Sequence, residues 1–327
     1  FESRWTRHAL NGRLQVDHLE ISDFPDESRT NVLLGLDGHL DLGAATRLSA
    51  AVLSEDRTEA RTAFSNIATS LEPNEYSRLA AGLGLTHQSG KWRTEAQLDL
   101  TSFDHDDVEV PGDLFQDQDF RDRDEVEGRS RLAYAVNDTV AAYGEATHVQ
   151  ASFDPPGFFN AFNRDYAGTT LSVGSVFTFG DHVQGDIGIG YLSYSFDDPS
   201  FADIDDVTVS GTVQWLLASA TTLETSVTRG VINPGLLDTI AATETGADLR
   251  LVHGITPRLS LVGAAGFNTY EFENLTRTDD RVDVLLGANW KLNKSLWLES
   301  HYEMLDSSSP VQAFTDNRVM FRMRVFP

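Results

Sequence analysis

The sequence contains no cysteine, so neither a disulfide framework nor a thiolate metal site can form. Basic residues are also scarce, because 25 Lys and Arg stand against 50 Asp and Glu, a formal net charge of -25 at pH 7. This excess of negative charge argues against nucleic acid or an anionic cytoplasmic membrane surface as a partner. A basic polymer or divalent cations would match it better.

The sequence also lacks a run of apolar residues long enough for a membrane-spanning helix, which needs about 20 of them. Its longest uncharged run, Val207–Leu223, is rich in Thr and Ser and alternates apolar with polar positions, which is a strand pattern. The numbering begins at Phe1 rather than Met. We therefore expect that any targeting segment has been removed or trimmed.

The strongest pattern that is present is a strict alternation of apolar and polar residues between Thr278 and Asp306. A turn at Asn293 and Lys294 divides it into two segments. The apolar positions are Val282, Val284, Leu286, Ala288, Trp290, Leu292, Leu296, Leu298, Tyr302 and Met304. A period of two predicts a hairpin with one apolar face. Because no helical pattern is available to cover that face, we expect a membrane to cover it.

Comparable segments recur from end to end, and we predict about sixteen strands. Short connections alternate with longer ones that are rich in Asp, Pro, Asn and Phe. This arrangement is typical of outer-membrane proteins, in which closure of the sheet leaves no unpaired edge in lipid. The predicted fold is therefore all-β: a closed antiparallel transmembrane β-barrel, built as an up-and-down meander with short periplasmic turns and long extracellular loops.

The domain assignment follows from residues 1–11, which have no clear period, and from a first predicted strand near Arg13–Ile21, whose apolar positions shift phase between Val16 and Leu19. We assign residues 1–11 to a periplasmic N-terminal lead and residues 12–327 to a single transmembrane barrel domain. With an even number of strands, both termini lie on the periplasmic side of a bacterial outer membrane.

Aromatic residues give an independent indication of the membrane. Trp92, Trp215, Trp290 and Tyr134 all fall on the apolar phase close to a short turn, where an interfacial girdle is expected. The alternative is a large soluble β protein, but its apolar face would be inward, and such a girdle would then have no function.

Five segments, taken in their order and spacing, resemble the putative β-barrel porin 2 family of Gram-negative bacteria. They are residues 121–131 (RDRDEVEGRSR), 194–201 (YSFDDPSF), 276–280 (TRTDD), 292–298 (LNKSLWL) and 314–319 (FTDNRV). The resemblance covers about Glu75 to Phe326. It implies an outer-membrane barrel, often encoded with exopolysaccharide or capsule assembly genes, that passes polymer out of the periplasm. It implies no catalytic residues.

If the apolar phase meets lipid, the opposite phase lines a lumen. The candidate lining residues are Arg93, Glu95, Asp99, Arg129, Arg131, Asp186, Arg281, Asp283, Glu299, His301, Glu303, Arg318, Arg322 and Arg324. Opposite charges on neighbouring strands attract each other. Two interpretations remain open: a solvated ladder that keeps a wide barrel wet, or a charged track that filters or guides a solute.

One long connection is unusually apolar and is the candidate constriction loop. Residues 154–165 carry Phe158, Phe159 and Phe162 together with Arg164. The loop either folds inward to narrow the channel or forms an external cap. Few other aromatic residues are expected on the inner face, Trp297 and Tyr143 being the candidates, which weakens the case for a path that stacks sugars.

Residues of the predicted inner face and of the acidic loops also raise enzymatic and metal-binding alternatives. His301 beside Glu299 and Glu303 could orient a base, but Ser300 falls on the lipid-facing phase and no inward serine is at hand, so we expect no enzyme. The acidic segments 104–107 and 117–124 could hold Ca²⁺ or bridge lipopolysaccharide through divalent ions, or they are ordinary solvated loops. We expect no metal site and no cofactor.

The functional hypothesis is a passive outer-membrane conduit for exopolysaccharide or capsule export. A general diffusion porin for small solutes, or a blocked structural barrel whose acidic loops bind cell-surface components, are the alternatives. The expected partners are outer-membrane lipid and lipopolysaccharide, with polysaccharide and periplasmic export components, and no nucleic acid.

Overall fold

A computed structural model describes residues 1–21, 23–67, 69–112, 114–155 and 162–325. These residues form nineteen strands and two single turns of 3₁₀-helix, Pro25–Glu27 and Asp119–Arg121. The strands are β1 Glu2–Arg4, β2 His8–Leu19, β3 Arg29–Asp41, β4 Thr46–Thr58, β5 Glu75–Ser89, β6 Trp92–His105, β7 Val108–Val110, β8 Leu114–Gln116, β9 Arg123–Ala135, β10 Val140–Phe153, β11 Tyr166–Phe179, β12 Val183–Phe196, β13 Ile204–Ala218, β14 Thr221–Ile232, β15 Ala242–Thr256, β16 Leu259–Phe272, β17 Arg277–Lys291, β18 Leu296–Ser308 and β19 Phe314–Val325. No helix in the described ranges is long and apolar enough to span a membrane.

Seventeen of the strands form one antiparallel sheet in which each strand pairs with the next one along the chain. The exception is the β7–β8 hairpin, a separate two-stranded insertion between β6 and β9, which pair directly with each other. Apart from β1, the strands of the large sheet have 12 to 15 residues. At about 3.3 Å per residue, tilted strands of this length cross an apolar band about 25 Å tall.

Connections at one end of the sheet have two to four residues, and those at the other end are longer except for residues 273–276 between β16 and β17, largely as the sequence pattern predicts. The β5–β6 and β11–β12 turns each use a glycine in the left-handed region, Gly90 and Gly180, both with φ of 59°. A side chain there would be strained, so glycine permits these tight reversals. We call the two ends the short-turn end and the long-loop end.

The two faces of the sheet differ in chemistry. One face carries large apolar side chains that no other part of the described chain covers; Leu34, Leu83, Ile189 and Leu286 are each about half exposed or more. The alternate positions carry Arg, Asp, Glu, Ser and Thr. This is the inverse of a soluble sheet, in which apolar side chains face a core.

The polar face is the concave one. Thr62 and Phe64, in the β4–β5 connection, contact Arg281 and Tyr270 on β17 and β16. Eight strands separate β5 from β16 along the sheet, which would put them about 40 Å apart if the sheet were flat. The sheet must therefore curl so that its polar inner face encloses these contacts, with the apolar face outside.

The N-terminal region enters the sheet earlier than the sequence pattern indicates. Within the predicted lead, residues 1–11, β1 pairs with β2, and β2 begins at His8 rather than near Arg13. The amino group of Phe1 also donates a hydrogen bond to the Gly12 carbonyl at 2.6 Å. Backbone pairing needs no apolar alternation, so Asn11 and Gly12 could join a strand without marking it in the sequence.

Candidate functional site

All of the predicted lining residues lie on the inner face. Cross-strand neighbours on that face include Glu95 with Arg131 and Glu299 with Arg322. Because alternation along each strand is unbroken in these segments, the remaining predicted positions share the same face.

Arg131 forms the most connected charge cluster on the inner face. Its guanidinium donates hydrogen bonds to Glu145 at 2.7 Å on β10 and to Asp186 at 2.8 Å on β12. Tyr143 completes the cluster, because its hydroxyl donates to Asp186 at 2.7 Å and its ring lies 4.0 Å from the Arg131 guanidinium carbon. The cluster thus joins β9, β10 and β12 across the intervening β11.

Glycine makes that reach possible. Tyr143 lies flat across β11 at Gly174 and ends above Gly188 on β12, and a Cβ atom at either glycine would collide with the tyrosine hydroxyl. Alternation places Arg131 and Asp186 on the same face but does not pair them, since 55 residues separate them.

The last hairpin holds a second charge cluster. Glu299 forms an ion pair with Arg324 at 2.8 Å and lies 3.8 Å from Arg322. Arg318 faces Glu303 in the register but forms its ion pair with Asp316 on its own strand. His301 faces Gly287 and Met320, so the triplet of Glu299, His301 and Glu303 does not form one hydrogen-bonded group.

Several predicted ladder residues pair along their own strand rather than across strands. Arg93 contacts Glu95 at 2.5 Å, and Arg129 contacts Glu127 at 2.9 Å, each two residues away. Asp99 accepts a hydrogen bond from Gln97 at 2.8 Å. The side chain of Asp283 instead turns over Gly266.

The long-loop end is filled by connections that pack on one another. We define the loop cluster as residues 59–67 and 69–74, 106–112 and 114–122, 154–155 and 162–165, and 233–241. Backbone groups join its parts: Leu71 N–H donates to the Glu109 carbonyl at 2.9 Å, and Asp154 N–H donates to the Asp122 carbonyl at 3.0 Å. Three long connections beside the candidate constriction loop therefore take part.

Glu59 and Arg121 form an ion pair that holds the loop cluster together. Arg121 is buried and donates to both carboxylate oxygens of Glu59. Asn74 and Ser65 also donate to Glu59, at 2.9 and 2.8 Å. Burial acts to raise the pKa of Glu59, but Arg121 and these hydrogen bonds outweigh it and hold that pKa below its usual value.

Arg164, predicted as a constriction-loop residue, is 1% exposed. It donates to the carbonyls of Leu236 at 2.6 Å, Thr239 at 3.1 Å and Leu237 at 3.3 Å, and so fastens residues 162–165 to 233–241. Burial, together with the nearby positive charge of Arg123, lowers its pKa to about 10. Phe162 packs against Phe201 at 5.5 Å between ring centroids. Phe158 and Phe159 lie outside the described residues.

One long contact crosses the enclosed space and was not predicted. Arg281 donates to the Thr62 carbonyl at 2.9 Å, and its guanidinium carbon lies 3.8 Å from the Phe64 ring. That ring also packs edge-on against Tyr270 at 4.7 Å and Phe272 at 5.3 Å. Residues 59–67 and 69–74 thus form a strap across the sheet. The sequence signal was Phe64 itself, the one aromatic residue of that connection.

A row of aromatic side chains follows the inner face at the long-loop end, across β5, β6 and β9 to β12. This aromatic row consists of Tyr76, Phe103, His105, Phe153, Tyr166, Tyr194 and Phe196. Neighbouring ring centroids are 5.5 to 6.4 Å apart. Arg123 bridges Phe103 and Phe153, at 4.0 and 5.7 Å from their centroids. The inner face is therefore richer in aromatic side chains than the sequence analysis expected.

Three of the acidic residues considered for Ca²⁺ come together. Carboxylate oxygens of Asp107, Asp117 and Asp119 lie within 4.8 Å of one another, and all three residues are exposed. Asp122 instead binds His105, at 2.9 Å from the ring nitrogen. Burial and the neighbouring carboxylates, Asp117 and Asp107 first among them, raise the pKa of Asp119.

The sequence matches the family described as Putative beta-barrel porin 2 over residues 1–326. The chain belongs to this family. The match includes the N-terminal quarter, which the motif resemblance did not reach, and it assigns the chain to a porin-like outer-membrane β-barrel family. A search of curated proteins gives no match.

Solved structures of other barrels share the fold at low identity. The FrpB iron transporter from Neisseria meningitidis is 9% identical with a TM-score of 0.58, covering 94% of this chain and 58% of its own. The siderophore receptor PirA from Acinetobacter baumannii is 7% identical with a TM-score of 0.55, covering 96% and 68%. The chain thus spans less than two thirds of FrpB, and at these identities the likeness concerns the fold alone.

Proposed function

We propose that this member of the porin 2 family is a passive conduit through the outer membrane, with its outermost strands hydrogen-bonded into a closed barrel. The carrying observation is the segregation of the two faces on a sheet that curls around its polar side. A polar, charged interior beneath an apolar exterior matches membrane barrels that enclose water. The proposal includes both termini on the periplasmic side, the long-loop end outside the cell, and no catalytic role.

The conduit is narrowed at its long-loop end. The strap reaches from β4 and β5 to β16 and β17, where Arg281 binds the Thr62 carbonyl and contacts the Phe64 ring. Widening the conduit at this point requires release of the hydrogen bond to the Thr62 carbonyl and of the ring contacts of Phe64. Such a strap would set the width of the open state, as inward loops do in other pores.

The cargo we propose is an exopolysaccharide or capsular polymer. The aromatic row supports this class, because sugar rings present apolar faces that pack on aromatic side chains, and Tyr76, Phe103 and Tyr166 are only partly buried. No driving force is built into such a conduit, so periplasmic export components would deliver the polymer, and lipid and lipopolysaccharide would surround the wall.

Conductance in planar bilayers tests the conduit, and polymer block tests the cargo. Purified full-length protein should give discrete ion channels that a neutral polysaccharide such as dextran interrupts. Tyr76→Ala should weaken the block about fivefold while leaving the small-ion conductance near its original value. Tyr134→Ala, on the apolar face, is the matched control and should leave the block unchanged.

The alternatives each have one supporting observation. The paired charges of the inner face favour a diffusion porin for small solutes, which would conduct ions without polysaccharide block. The packed loop cluster favours a blocked structural barrel, whose acidic loops bind cell-surface components. Absence of any channel in protein shown to be folded would contradict both porin proposals and favour the structural barrel.

A further inference from the structure

The loop cluster contains a cavity that is lined mainly by the long connection between β6 and β9. It lies beside the β7–β8 hairpin and has a volume of about 510 Å³, within the usual range of small-molecule sites, about 300–1,000 Å³. Its apolar lining comes from Val110, Leu114, Phe115, Phe120 and Leu237. It therefore belongs to the loops rather than to the inner face of the sheet.

Two of the apolar side chains are conspicuously uncovered. Leu114 and Phe115 are 62% and 67% exposed, although neither lies on a strand of the membrane-spanning sheet. Phe120 is buried at 6% exposure and supports the cavity from beneath. Apolar side chains that line a concave surface in a loop, where lipid does not cover them, commonly mark a binding surface.

Negative charge accompanies this apolar lining. Asp117, Asp119 and Asp154 also line the cavity, and no basic residue does so among the described residues. The nearby arginines are engaged, Arg121 with Glu59 and Arg164 with backbone carbonyls. Burial raises the pKa of Asp119, and the neighbouring carboxylates of Asp117 and Asp107 raise it further.

We propose that this cavity binds a small organic cation with an apolar body, such as an aryl or alkyl amine. The ammonium group would lie against Asp117, Asp119 and Asp154, and the apolar body would cover Leu114 and Phe115. An anion would be repelled by the rim, and a metal ion alone would leave the apolar lining exposed. The site is independent of the conduit, since it shares no residue with the inner face.

Dansylcadaverine, a fluorescent aryl sulfonamide with one terminal ammonium group, is a suitable probe. It would be titrated into the full chain in zwitterionic nanodiscs free of lipopolysaccharide, in the presence of EDTA, with empty nanodiscs as the reference. We expect saturable binding with a blue-shifted emission. The N-acetylated, uncharged probe should bind about tenfold more weakly, and added salt should weaken only the cationic probe.

Variants locate the binding site. The double variant Asp117→Asn, Asp119→Asn should lose about tenfold in affinity, whereas Asp23→Asn, Asp26→Asn, an equal charge change on the β2–β3 connection, should not. Phe115→Ser should weaken the binding of both probes, because it removes part of the apolar lining rather than a carboxylate. Phe115 is 67% exposed, so its replacement should not disturb folding. Heat-shifted gel mobility would verify folding.

Equal affinity of the charged and uncharged probes would overturn the proposal, as would unchanged binding in folded Asp117→Asn, Asp119→Asn and Phe115→Ser protein. Uptake that matches empty nanodiscs would also overturn it, because the probe would then be reporting lipid.

Discussion

The two ends of the sheet are stabilised in different ways. At the short-turn end, connections are short and Trp92, Trp215 and Trp290 remain about half exposed on the apolar face. The largest fully buried side chains are all at the long-loop end: Arg164, Ile240, Gln118, Asn74, Thr239 and Asp279. One end is thus built for lipid, and the other has an interior of its own, much of it polar.

This difference in buried side chains reflects the surroundings of each region: lipid around the wall, and no lipid around the loop cluster. A wall whose backbone groups are paired by the strand ladder needs only apolar side chains outside, since lipid supplies the remaining contacts. The loop cluster has no lipid to cover it, and its buried polar groups must pair with one another, as Arg164 does with three carbonyls. Substitutions in the wall should therefore change stability through contacts with lipid, and substitutions in the loop cluster through the pairing of buried polar groups.

The largest effect should come from charging the apolar face of the wall. Leu286 is 58% exposed near the middle of β17, and Leu286→Arg should lower the free energy of unfolding by about 2–4 kcal/mol. Ser210→Arg, the matched control on the inner face of β13, should cost far less. Equilibrium unfolding in lipid vesicles measures both, and equal losses would contradict the assignment of the faces.

The next effect tests the strap. Arg281→Leu removes the hydrogen bond to the Thr62 carbonyl and the contact with Phe64, so the open-channel conductance should rise several-fold. Arg250→Leu removes an equal charge from the inner face, where Arg250 pairs with Glu224 at 3.2 Å, but no strap contact. A similar rise in both variants would indicate that lumen charge, rather than the strap, controls the conductance.

A smaller effect should follow from pH, through the ion pair of Glu59 and Arg121. Because the pKa of Glu59 in the folded protein is below its usual 4.5, the pair stabilises the loop cluster above pH 4.5 and is lost as pH falls through the lowered value. Conductance should rise in that acid range. Glu59→Gln should already be more open at pH 7, whereas Glu72→Gln, an exposed position in the same strap, should keep the original profile.

The wall was predictable from sequence because its signal is local. The period of two sets the face of each side chain, so the hairpin predicted between Thr278 and Asp306 is observed as β17 and β18. The same rule placed Arg131 and Asp186 on one face. The alternation rule could not predict that Arg131 and Asp186 pair with each other. Their cluster includes Tyr143, which reaches Asp186 only because Gly174 and Gly188 have no Cβ atom.

The loop cluster was largely unpredictable because its partners are distant or are backbone groups. Arg281 and Thr62 are separated by 219 residues, and Arg164 is held by carbonyls that every residue possesses. In an alternating sequence, the inner face is recognised mainly by its charged residues. Tyr166 and Tyr194 therefore escaped notice on that face, although their positions follow the same period.

The smallest effect should come from the aromatic girdle at the short-turn end. Trp92 and Tyr134 face each other across β6 and β9 with ring centroids 4.8 Å apart, so Trp92→Ala should lower the free energy of unfolding by about 1 kcal/mol. Trp92→Phe should restore part of that loss, because a ring remains for Tyr134. In lipid vesicles the loss of unfolding free energy caused by Trp92→Ala should vary with bilayer thickness. Thickness sets where the interface meets the girdle that anchors the wall. If detergent and lipid gave the same loss, the ring pair alone would account for it, and the short-turn end would not be an interfacial anchor.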